Sequence, residues 1–215
     1  LDDHLKDKQI PVTHLALLLR SQAWMLMKDA IRSLAGGFDG DRKMVENFVD
    51  DYYASIRNTG GASSLKDYCT LFRKQMATWL IVPFILTKKM TLHEEFSNAV
   101  QAAYGSFGIA WRLLDDIQDM EIDMNNGVHS AIYVCLDEDI KGLWDKNFHE
   151  DRPKNSRERD IILQHIIENH IIDTVKEWLC RELASAASVF DEWNLNGLAD
   201  EFRCMLKPLV HGQNH

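Results

Sequence analysis

The segment Gly105-Ser-Phe-Gly-Ile-Ala-Trp-Arg-Leu-Leu-Asp115-Asp-Ile-Gln-Asp119-Met-Glu-Ile-Asp123 begins apolar and ends acidic. Phe107, Ile109, Ala110, Trp111, Leu113 and Leu114 recur at spacings that favour a helix. Asp115, Asp119 and Asp123 follow at i, i+4 and i+8, drifting only about 40° per step around a 3.6-residue helix. Asp116 lies three residues before Asp119 and borders the same face. Four like charges on one stripe repel one another. They also stand toward the helix C-terminus, where the macrodipole disfavours anions. Two local rules are broken together, which implies a compensating cation. Carboxylate oxygens are hard ligands suited to Mg²⁺, an ion that keeps several waters and is often shared with phosphate. An isolated Asp-Asp-x-x-Asp is more often a solvated acidic face. Here the apolar run before it, with the small residues Gly105, Gly108 and Ala110, points to a metal-held diphosphate at the mouth of an apolar cavity.

Outward from this segment the pattern stays helical. Val12 to Leu34 has apolar residues at helical intervals, with Thr13 as its cap and Gly36-Gly37 as its stop. Arg42 to Arg57 is a second helix, ended by Gly60-Gly61. Ser63 and Ser64 cap a third, Leu65 to Lys89, in which Pro83 predicts a kink. Thr91 and Glu94 form a capping box for a long helix running to about Asp123, stopped by Asn125-Asn126-Gly127. Short helices near Ser130 to Leu136 and Ile140 to Trp144 precede a polar loop, 147–156. Arg157 to Trp193 reads as one amphipathic helix with Ile162, Ile166, Val175, Leu179, Leu183, Ala186 and Phe190 on its apolar face. Leu198 to Val210 closes the chain. The expected fold class is all-α, a single α-helical domain over 1–215.

Composition sets the outer limits. The 215 residues are 46% hydrophobic and 27% charged, enough for a sizeable core. The 24 basic residues against 33 acidic ones give a net charge of −9, which argues against a nucleic-acid partner or an anionic membrane surface. No apolar run approaches the roughly 18 residues of a transmembrane helix. Cys69, Cys135, Cys180 and Cys204 form no CxxC pair and read as reduced thiols of a cytoplasmic protein. His165 and His170 are five apart, a poor spacing for joint metal ligation on a helix. Trp24, Trp79, Trp178 and Trp193 read as core or interface packing; Trp111 differs, being one turn from Asp115. The opening Leu1-Asp2-Asp3-His4-Leu5-Lys6-Asp7 brings a second acidic cluster with no element before it. The expectation is that the chain is the C-terminal two-thirds of a longer protein. Two such clusters on facing helices would clamp Mg²⁺ ions and a diphosphate between them.

The acidic segment resembles the second aspartate-rich motif of the trans-isoprenyl diphosphate synthases, Gly-x-x-Phe-x-x-x-x-Gln-x-x-Asp-Asp-x-x-Asp. Pro11-Val-Thr-His14 resembles the Pro-x-x-His after that family's first motif, and Lys74-Gln-Met-Ala its Lys-Thr-x-x at a helix kink. Ser130-Ala-Ile-Tyr-Val-Cys-Leu is similar to a degraded Lys-x-Thr-x-Pro segment. The resemblance covers Asp2 to about Leu136. It implies an isoprenoid-synthase-type helical bundle with a central apolar cavity and Mg²⁺-dependent ionisation of an allylic prenyl diphosphate. Isopentenyl diphosphate then attacks, a proton is lost and the chain grows. By the same resemblance Asp115, Asp116 and Asp119, with Asp2 and Asp3, would hold metal, Asp115 serving catalysis. Lys74 would contact the diphosphate and help it leave. Arg112, Lys8, Trp111 and Phe107 would bind substrate, and a homodimer is the common assembly.

The departures fall on the cationic side. Asp7, Lys8, Gln9 and Ile10 stand where the family carries Arg-Arg-Gly, and lysine lacks the bidentate fork of arginine. Trp111-Arg112 replaces the Phe-Gln element, and Val128-His129-Ser130 replaces a loop lysine. Three catalytic readings stay open: elongation with isopentenyl diphosphate, transfer to another acceptor such as a peptide, and terpene cyclisation. A non-catalytic subunit or helical scaffold is the alternative of another class.

Overall fold

The computed structural model describes residues 11–36, 41–57, 61–91, 93–147 and 156–211. Among these there are eleven helices and no strand. In chain order they are α1 (His14–Ala35), α2 (Asp41–Arg57), α3 (Leu65–Gln75), α4 (Ala77–Thr91), α5 (Glu94–Gln118), α6 (Met120–Asn126), α7 (Ala131–Val134), α8 (Glu138–Asn147), α9 (Ser156–Glu168), α10 (Ile171–Glu192) and α11 (Asn196–His211). The chain divides into two compact units, Leu1–Asp50 and Asp51–His215.

In the first unit α1 starts as its sequence directs. The Thr13 hydroxyl accepts the Ala16 N–H at 3.1 Å, satisfying one of the donors left over at a helix start. At the other end the Gly36 N–H donates to the Arg32 carbonyl, with Arg32 itself in the last turn.

The second unit is built around α5. Helix α10 packs most heavily against it, α4 lies on it from another side, and α11 packs on α10. The ladder Ile171, Val175, Leu179, Leu183, Ala186 and Phe190 of α10 is buried, as are Val100, Ala103, Ile109, Ala110 and Leu113 of α5. Each large aliphatic side chain so buried contributes about 1.5–3 kcal/mol. Two glycines bring α5 close to its neighbours. A Cβ on Gly105 would meet the Arg73 side chain at 3.5 Å. One on Gly108 would overlap Met76 Sδ.

The structure corrects four helix boundaries. The break in Leu65–Lys89 falls at Met76, not at Pro83. Met76 takes φ −81°, ψ 0°, and its carbonyl accepts from both Trp79 and Leu80, which tightens the turn. The break separates amphipathic α3 from α4, which is apolar nearly all round, and the Met76 side chain is buried over Gly108. Pro83 stays inside α4. Thr91 is not the cap of α5, because its hydroxyl is spent donating to the Thr87 carbonyl and accepting the His93 N–H. His93 caps instead, its Nδ1 accepting from Phe96 N–H. The long acidic helix breaks at Asp119 between α5 and α6, and Gly127 ends α6 at φ 65°, a left-handed value that glycine adopts without steric cost. Arg157–Trp193 is two helices, not one. Asn169 turns its side chain back onto the His165 carbonyl, and His170 takes φ 51°. Trp79 is 72% exposed on α4 rather than packed in the core, while Trp144 is fully buried. No described helix is long and apolar enough to cross a membrane.

Candidate functional site

The last two turns of α5 carry the expected site residues into very different surroundings. Asp116 sits on the buried face with Ile109 and Leu113 and is 1% exposed. Its Oδ2 accepts the Tyr68 hydroxyl of α3 at 2.7 Å and the Ala131 N–H at the start of α7 at 2.8 Å. Its Oδ1 lies 3.0 Å from Arg112 Nε. That nitrogen's one N–H is donated elsewhere, to Tyr68 Oη at 3.0 Å, so Oδ1 is paired in charge and finds no hydrogen-bond donor among the described residues. The Arg112 guanidinium also lies over the Phe72 ring at 5.5 Å. Burial pushes the Asp116 carboxyl up, against Arg112, the Tyr68 hydroxyl and the Ala131 N–H, which pull it down. Burial likewise raises Tyr68, reinforced by the adjacent carboxylate, so Tyr68 stays a neutral donor.

Asp115, the next residue back, has half of its side chain in solvent and, among the described residues, is ion-paired only with the far end of Arg112, Nη1 to Oδ2 at 3.7 Å. Asp119 sits at the α5–α6 junction, its N–H bonded to the Asp115 carbonyl at 2.8 Å. Asp123, one turn further, is half-buried. Its carboxyl is pushed up to about 7, first by burial and then by Asp116, with Asp119 and Asp115 adding to it. The stripe therefore holds more negative charge than Arg112 offsets.

Toward the N-terminal side the same helix face is aromatic. Trp111 is 64% exposed, and the Phe107 ring lies 6.4 Å from it and 5.5 Å from Phe202 of α11. Lys74 is exposed at the end of α3, beside the break at Met76. Among the described residues no ion pair joins it to the α5 carboxylates. Asp2, Asp3 and Lys8 lie outside the described residues. The structure thus brings Arg112, Asp115 and Asp116 together, and among the described residues Lys74 makes no ion pair with them.

Tyr68 is the residue that sequence reasoning missed. It is 48 positions from Asp116, and its only mark in the sequence is an amphipathic helix position beside Cys69. The Ser130-Ala131 turn, read as the start of a short helix and by resemblance as part of a family segment, supplies a backbone donor to Asp116 and buries the Ser130 hydroxyl.

Among the described residues no group of three or more His, Cys, Asp or Glu is gathered to hold a metal by protein atoms alone. Asp115 and Asp119 offer hard oxygen donors one turn apart. That suits Mg²⁺, which usually takes one or two carboxylates and completes its shell with water and substrate phosphate. The chain matches no family model, no curated protein and no solved structure.

Proposed function

We propose that this chain is a Mg²⁺-dependent prenyltransferase with an isoprenoid-synthase-type bundle and an apolar cavity. Its substrates would be an allylic prenyl diphosphate and, in the first instance, isopentenyl diphosphate. One observation carries the reading. The aromatic face of α5 at Phe107 and Trp111 runs directly into Asp115 and Asp119, with a charged guanidinium, Arg112, between them. An oily tail and a diphosphate head need that sequence of surfaces.

Asp115 and Asp119 would hold the ion. Bound there, Mg²⁺ would supply Lewis-acid stabilisation of the departing diphosphate. In the reaction the allylic C–O bond breaks and its electron pair leaves on the diphosphate. The double bond of isopentenyl diphosphate supplies the pair for the new C–C bond, and a proton is lost from the adduct. Trp111 and Phe107 would face the hydrocarbon and keep water from the cation, with the Trp111 ring adding cation–π attraction. Lys74, by its resemblance to the family lysine, would contact the diphosphate and help it leave. A homodimer belongs to the same proposal and is read from the mass in solution.

A second reading has its own support. Helix α4 exposes Trp79, Val82, Leu86 and Met90 along one face, as a helical interaction module would. Incubating the full chain with geranyl or farnesyl diphosphate and Mg²⁺, with and without isopentenyl diphosphate, separates the readings. A longer prenyl diphosphate establishes elongation. Prenyl alcohols or cyclic hydrocarbons formed without isopentenyl diphosphate point to cyclisation or another acceptor. Unconsumed substrate in every case favours the interaction module.

A further inference from the structure

We infer that Arg112 is the resident cation of Asp116, held there by Tyr68, so that a divalent ion on this face is carried by Asp115 and Asp119 and not by Asp116. The inference rests on the metal-dependent reading above and assigns roles within it.

With Arg112 and Tyr68 in place, Asp116 has no room for a hydrated ion. It is 1% exposed, and its Oδ2 already accepts two short hydrogen bonds, from Tyr68 and from the Ala131 backbone. Mg²⁺ dehydrates reluctantly and keeps several waters, so a carboxylate closed off by its guanidinium and hydroxyl partners is a poor partner for it. The remaining oxygen, Oδ1, faces Arg112 Nε at 3.0 Å. A guanidinium is always charged and weakly hydrated, which makes it the side chain best suited to neutralise a buried carboxylate.

Arg112 is fixed in that role. Its Nε–H is donated to Tyr68 Oη, and its Cζ lies 5.5 Å from the centre of the Phe72 ring. Tyr68 passes its own proton donor to Asp116, so one hydroxyl orients both members of the ion pair. The Nη1 end reaches only to 3.7 Å from Asp115, leaving that half-exposed carboxylate available to an ion. Tyr68 is thus a positioning residue. It acts through Arg112 and Asp116, and its effect appears in metal binding before any chemistry.

The test uses Mn²⁺ alone as the probe, with the full chain and no substrate. Bound Mn²⁺ is counted from the free-ion EPR signal, and the Mn²⁺-induced rise in melting temperature is read in parallel. Arg112→Gln is expected to bind one ion more than wild type and to gain a larger Mn²⁺-induced rise, because the ion replaces the lost guanidinium. Arg112→Gln/Asp116→Asn returns to the wild-type number. Tyr68→Phe, which lets Arg112 move, shifts in the direction of Arg112→Gln and less far. Should Arg112→Gln not fold, Asp116→Asn carries the test: it keeps the wild-type number of ions, and one ion fewer overturns the inference. An Arg112→Gln protein that folds and binds only the wild-type number also overturns it. Asp115→Asn separates this inference from its parent. If Asp115→Asn leaves Mn²⁺ binding untouched, the parent reading fails. If it abolishes binding while Arg112→Gln changes nothing, only the present assignment fails.

Discussion

The apolar ladder of α10 and the acidic junction of α5 and α6 are both periodic, and they differ in what the period decides. On α10, residues one or two turns apart share one environment: Val175, Leu179 and Leu183 are all buried on α5. At the junction, chain neighbours have opposite fates. Asp116 is sealed between α3, α5 and α7, whereas Asp115 looks half into solvent. The lesson is about partners. An aliphatic side chain needs only to leave water, so its face settles its burial. A carboxylate can be buried only where donors and a cation meet it, and those come from distant parts of the chain.

The sharpest way to break this comparison is to remove the two aspartates in turn. Asp116→Ala strands the Arg112 charge, the Tyr68 hydroxyl and the Ala131 N–H together, and is expected to cost about 3–5 kcal/mol in urea unfolding. Asp115→Ala should cost no more than about 0.5 kcal/mol. Equal costs would mean that the two residues share one environment after all. On the ladder, by contrast, the cost should follow volume alone.

A smaller effect probes how α5 reaches its neighbours. Gly108→Ala drives a Cβ against the flexible end of Met76, which must shift, while the gain in helix propensity offsets part of the strain, so the net cost should not exceed about 1 kcal/mol. The cost should fall in a Met76→Val background, where the sulfur is gone. An unchanged cost in the double variant would show that Met76 does not set the contact.

The last effect is a pH dependence in metal-free protein. The folded Asp123 carboxyl titrates near 7, against an ordinary value of 3.8. A raised carboxyl binds protons more tightly in the folded chain than in the unfolded one. Its contribution is therefore fully present below about pH 4 and is lost as pH rises toward 7. Asp123→Asn should flatten this fall, so the variant melts higher than wild type at pH 8 and by a smaller margin at pH 5. A difference that grows toward acid pH would reverse the sign and overturn the environment described for Asp123.

Much of the fold was legible because apolar spacing carries it. Ile162, Ile166 and the α10 ladder are buried on the face read from sequence, and Thr13, Ser64 and Gly127 act at the helix ends where their chemistry puts them. The breaks were less legible. Pro83 carries the stronger signal, yet the helix turns at Met76, where Gly108 of another helix offers the space. His170 adopts a left-handed backbone, which histidine enters more often than most residues but too rarely for the sequence to announce it. At the candidate site the stripe of aspartates was visible. The division of labour within it was not, because Tyr68 and the Ala131 N–H are tertiary partners with no local mark.

The most direct measurement is inorganic diphosphate released from an allylic prenyl diphosphate by the full chain, with Mg²⁺ or with chelator, for wild type and Asp115→Asn. Isopentenyl diphosphate is supplied in one series and withheld in the other. Release that requires Mg²⁺ and falls by at least about ten-fold in the variant is expected. Release that ignores the chelator or survives Asp115→Asn, or no release from any prenyl diphosphate in either series, would contradict a metal-assisted prenyl transfer at the end of α5.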